Sequence, residues 1–66
     1  MKLSRQQDQV ARLLAYGLSN KQIANLLNLS LAAEKSHVQE VFNKLGVRNR
    51  SAVAAVMFKM RSHLSQ

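Results

Sequence analysis

The chain has 66 residues, 47% of them hydrophobic, and carries ten Lys and Arg against three Asp and Glu, a formal net charge of +7. So short a chain holds one domain around one core; with no cysteine it is not a disulfide scaffold, and two histidines without clustered carboxylates do not make a structural zinc set. No apolar run approaches the roughly 18 residues of a membrane span and no signal-peptide pattern opens the chain, while the charge balance points to a polyanion, nucleic acid before an anionic membrane surface.

The first stretch, Leu3 to Leu18, carries its own punctuation. Ser4 with Gln7 three residues on is a capping box, and Gly17 stands where a left-handed C′ residue ends a helix, so the spacing predicts a helix of about three turns. Its inner face is Val10, Leu13 and Leu14, with Leu18 folding back on Leu13. A second box follows at Ser19 and Gln22. Ile23, Ala24 and Leu27 give that helix a short apolar stripe, and Asn28 can take the left-handed conformation that stops it.

Ser30 then caps a third helix, predicted over about residues 31–45, with Gly46 as its stop and Val47 as the following apolar contact. Asn49 or Ser51 caps a fourth, over about residues 50–63. There Val53, Val56, Met57, Met60 and Leu64 form one stripe while Ala54, Ala55 and Phe58 lie on another side. Two apolar faces need two partners: the core, and a second surface that suits dimerisation. Nothing in the pattern argues for strands, repeats or linkers. The expectation is an all-α protein of four helices, one domain over residues 1–66 with its core at about 3–60.

A short helix, a turn of about three residues and a longer helix with polar residues in its first two turns is the helix-turn-helix arrangement. The stretches "GLSNKQIANLLNLS", "KSH" and "KLGVRNR" resemble the LuxR/GerE-type DNA-binding domain of bacterial transcription regulators, and the resemblance covers about Leu3 to Met57. It implies a four-helix domain whose second and third helices form the helix-turn-helix and whose fourth pairs two copies on DNA. It also implies that the positions of Lys35, Ser36 and Gln39 reach the major groove. Relatives usually carry a receiver or ligand-sensing domain ahead of this unit, so the chain reads either as an effector domain cut from a longer regulator or as a small regulator by itself.

On a wheel of 100° per residue, Leu31, Glu34, Val38, Val41, Phe42 and Leu45 share one arc of the third helix, and Ala32, Lys35, Ser36, Gln39 and Asn43 share another. The second arc is the candidate groove face. Lys35 can donate to guanine O6 and N7 or to phosphate, and Gln39 can contact adenine N6 and N7 together. Lys21, Asn43, Lys44, Arg48 and Arg50 are the candidate phosphate contacts, which position a domain without reading sequence. Ala55, Val56, Phe58 and Lys59 are the candidate dimer residues of the fourth helix; Lys59 and Arg61 among Met57, Phe58 and Met60 would also suit a helix lying on a membrane surface. The bland alternatives are a solvated helix face for the polar arc and ordinary solubility charge for the cations.

His37 lies off the groove arc and reads as a half-buried or phosphate-facing side chain, His63 as a cation at a helix end. With no nucleophile beside an orienting partner, no glycine-rich phosphate loop and no metal cluster, an enzyme is not expected, nor a cofactor, metal or small-molecule ligand within this domain. The lack of cysteine suits the cytoplasm. Two glutamates in so basic a chain call for an account. Glu40 has Lys44 at i+4 in the favourable orientation. Glu34 falls in the apolar arc, where the resembling family usually has valine, and Ala33 replaces the hydroxyl residue that commonly precedes it. A buried carboxylate there would need a cation, with Arg5, Arg12 or Lys21 as candidates. The reading is a sequence-specific, dimerising, DNA-binding regulator domain; the alternative is a protein-binding module that pairs with another regulator through its fourth helix and binds DNA weakly.

Overall fold

The computed structural model describes the backbone of residues 3–64 and the side chains of residues 3–59. It contains α1 (Arg5–Ala15), α2 (Asn20–Leu27), α3 (Leu31–Leu45) and α4 (Arg50–Leu64), and among the described residues no strand. None of the helices is long and apolar enough to cross a membrane. The expected all-α, four-helix architecture is what the chain adopts.

Each boundary has a chemical cause. Ser4 and Ser19 accept from the backbone N–H of Gln7 and Gln22 at 3.1 Å, and both glutamines reach back to the cap N–H, closing two capping boxes. Ser30 accepts from Ala33 N–H at 3.1 Å, but no reciprocal bond is available because Ala33 has no acceptor in its side chain. Asn49, rather than Ser51, caps α4: its Oδ1 accepts from Ala52 N–H at 2.8 Å. At the other ends, Gly17 (φ 97°), Asn28 (φ 58°) and Gly46 (φ 69°) all take the left-handed conformation. The N–H groups of Leu18, Leu29 and Val47 then turn back to the carbonyls of Leu13, Ala24 and Phe42, the 6→1 bond of a Schellman stop at each connection.

The helices converge on α1, which packs against both α3 and α4, while α2 lies mainly on α3. The buried core is Val10, Ala11 and Leu14 from α1, Ile23 from α2, Val38 and Val41 from α3 and Val53 from α4, with Leu13, Leu18, Leu27, Phe42, Leu45, Val47 and Met57 half-buried around it. The expected inner faces are there, with Ala11 of α1 buried beside the residues expected on that helix, and with one departure in α3. Leu31, placed in the apolar arc, is 43% exposed. It is the first helical residue, and at 100° per residue it stands about 50° off the centre of the stripe made by Glu34, Val38 and Val41, where no neighbouring helix covers it. The side chains of Met60, Arg61, His63 and Leu64 lie outside the described residues.

Arg50 adds a tie that local pattern does not show. From the first turn of α4 its Nη2 donates to the carbonyl of Leu18 and reaches that of Leu14 at 3.5 Å. The Leu14 carbonyl, near the end of α1, also accepts from Gly17 N–H at 3.0 Å, and the Leu18 carbonyl lies just beyond the helix. The guanidinium therefore fastens the start of α4 to the α1–α2 turn.

Candidate nucleic-acid interface

Three residues, Asn28, Leu29 and Ser30, join α2 to α3. The left-handed Asn28 turns the chain tightly, and Ile23 with Ala24 on α2 and Val38 with Val41 on α3 bury the facing sides of the pair. Because that stripe is pinned in the core, the opposite side of α3 is presented to solvent. Ala32, Lys35, Ser36, Gln39 and Asn43 are all exposed there, so the wheel's second arc is a real surface. Lys21 at the start of α2, Lys44 near the end of α3, and Arg48 and Arg50 beyond it are exposed too. Arg50 differs from the other cations in having one nitrogen committed to the α1–α2 turn.

The disposition of the acids sharpens this surface. Asp8 accepts from Arg12 Nε at 2.9 Å on α1. Glu40 Oε1 accepts from Gln7 Nε2 at 3.2 Å, and His37 Nδ1 lies 3.4 Å from the same oxygen, an ion-pair distance when the imidazole is protonated. Glu34 is fully buried. Glu34 is thus buried, Asp8 is paired along α1, and Glu40, though exposed, is bonded to Gln7; the groove arc itself carries no acid.

Gln7 is the residue that sequence pattern undervalued. Its Oε1 closes the first capping box while its Nε2 crosses to Glu40, 33 residues away. A glutamate would serve the box equally but could not donate. The choice of Gln at a box position was the only trace of that second bond.

Glu34 requires a correction. It is buried as expected, yet Arg5, Arg12 and Lys21 do not hold it: Arg12 is engaged with Asp8, and neither Glu34 oxygen has a hydrogen-bond partner. Burial pushes its carboxyl above its ordinary value of 4.5, and the charges of His37 and Arg50 offset only part of that rise. Arg5, Arg12 and Lys21 fail as partners because position on a helical wheel says which way a residue points, not what stands opposite.

A short helix and a longer one locked at a tight turn, the second showing an acid-free polar face, define a helix-turn-helix nucleic-acid-binding domain. Residues 1–58 match the model of the bacterial regulatory proteins of the luxR family, and the chain belongs to that family as a helix-turn-helix DNA-binding domain. It is 46% identical over 48 residues to the nitrate/nitrite response regulator protein NarP of Escherichia coli (strain K12), covering 73% of this chain and 22% of that protein. It is 38% identical over 52 residues to the transcriptional regulatory protein LnrK of Bacillus subtilis (strain 168), covering 79% of this chain and 24% of the relative. The match therefore spans about a quarter of each relative's length.

Proposed function

We propose that this chain is a sequence-specific transcription regulator domain that lays α3 in the major groove of duplex DNA, with Lys35, Ser36 and Gln39 meeting base edges. The single observation that supports this most is the exposed, acid-free arc of α3 held in place by a buried opposite stripe. Rigid backing matters, because a reading helix must hold its donors in register with the bases. Lys21, Asn43, Lys44 and Arg48, with the remaining donors of Arg50, contact phosphates around the groove and set the helix's depth. Two copies pair through α4, where Ala55, Phe58 and Lys59 are exposed and Val56 is half-buried. The action is binding in the cytoplasm, with no reaction catalysed and no metal or cofactor required.

Selection of bound duplexes from a random pool tests the reading. An enriched inverted repeat with half-sites about one helical turn apart is the expected result; a pool that emerges unenriched, with binding that falls steeply with salt on every sequence alike, would refute base reading. One observation favours a second reading: Phe58 is 74% exposed on α4, a surface that would equally fit another regulator's fourth helix. A stable heterodimer that has lost DNA affinity would establish that alternative.

A further inference from the structure

Leu31 is an exposed leucine at the start of a helix whose other exposed residues, Ala32 apart, are polar. It stands one turn before Lys35 in the row Leu31, Lys35, Gln39, and its neighbour Ala32, also exposed, stands one turn before Ser36. Leu31, about 40° from Lys35 on the helical wheel, borders the proposed reading face and Ala32 lies on it, so the first turn of that side is apolar and the next two turns are polar. A leucine left in water here is not explained by the core, since the buried stripe of α3 begins at Glu34.

We infer that Leu31 and Ala32 form an apolar subsite for the 5-methyl group of a thymine, next to the base met by Lys35. The inference rests on the proposal that α3 reads the major groove. Its chemistry follows from what that groove offers: amino donors, purine N7 or carbonyl oxygens according to the base, and one apolar group, the thymine methyl. The N-terminal residues of a recognition helix are the ones that approach base edges, so the apolar turn lies where a methyl can be covered. Lys35 a turn later requires an acceptor such as guanine O6 and N7. The operator half-site should thus place a thymine beside a guanine.

The 66-residue chain is used to select a preferred duplex from a random pool, and each thymine of that duplex is then replaced by deoxyuridine. The replacement removes the methyl and leaves every hydrogen-bonding group. Binding should weaken about three- to fivefold at one thymine per half-site, the effect of uncovering one methyl, and stay unchanged at the others. The double variant Leu31→Asn, Ala32→Ser should bind the thymine and deoxyuridine duplexes equally. That ratio is taken within one protein, so loss of folded molecules cancels. Enrichment of a site in which every thymine tolerates deoxyuridine, or a methyl effect that persists in the double variant, would overturn the subsite and leave groove reading intact. An unenriched pool would overturn groove reading and the subsite with it.

Discussion

Glu34 stands where neighbouring positions are valines, with both oxygens buried and without a hydrogen bond. Its cost depends on pH. Burial raises the folded carboxyl's pKa above that of the unfolded chain, so the folded state holds the proton more tightly. The contribution to stability is fullest below about 4.5 and is lost as pH rises through the folded value. Glu34→Val should raise stability by roughly 1–3 kcal/mol near neutral pH, because a buried acid whose burial the charges of His37 and Arg50 offset only in part gives way to a side chain that packs. The gain should shrink toward pH 4, and Tm of the two proteins measured from pH 4 to 8 checks both sign and window. A second residue-level expectation separates reading from holding. Lys35→Ala or Gln39→Ala should cost about 1–3 kcal/mol on the preferred duplex and relax base preference. Arg48→Ala should instead weaken all duplexes alike and lower the salt slope by about one, as competition binding at several salt concentrations would report.

At the scale of elements, three connections use one device: a left-handed residue, then a 6→1 bond back into the preceding helix. Such short stops leave little freedom in how successive helices cross, which suits a chain with no disulfide. The α1–α2 turn has an additional fastening, since Arg50 reaches it from α4. Removing that donor takes a charged partner from the exposed Leu18 carbonyl, while the Leu14 carbonyl keeps Gly17 N–H, so Arg50→Ala should lower stability by roughly 1 kcal/mol and Arg48→Ala should leave it unchanged. Denaturant titration of both variants distinguishes them. Equal stability for the two would mean that the Arg50 tie contributes nothing and that solvent satisfies those carbonyls as well.

For the whole molecule, the question is which surface meets which partner. The α3 arc carries one cation, Lys35, and the amides of Gln39 and Asn43 without an acid, whereas α4 presents Phe58 and Ala55 to solvent. A polyanion suits the first and a second apolar helix the second. Phe58→Ser should leave Tm nearly unchanged, because that ring is mostly exposed, yet should shorten the protected stretch on an inverted repeat to isolated half-sites. Footprinting with both proteins at matched concentration checks it; full protection by the variant would exclude Phe58 from the pairing surface.

Local chemistry read from the sequence was sufficient for the four helices and their limits, since capping boxes, left-handed stops and a 3.6-residue apolar period act between residues a few places apart. The same reasoning, with the family resemblance, placed Lys35, Ser36, Gln39 and Asn43 on one face of α3, and that face is exposed. What depended on residues far apart in the chain was not legible. Gln7 binding Glu40, Arg50 reaching Leu14 and Leu18, Leu31 left in solvent and Glu34 buried without a hydrogen bond all follow from how α1, α3 and α4 are set against one another. Periodicity gives the direction of a side chain from its own helix axis. Only the packed arrangement decides whether that direction ends in a partner, a core or water, because those distances are set by the mutual fit of several helices at once.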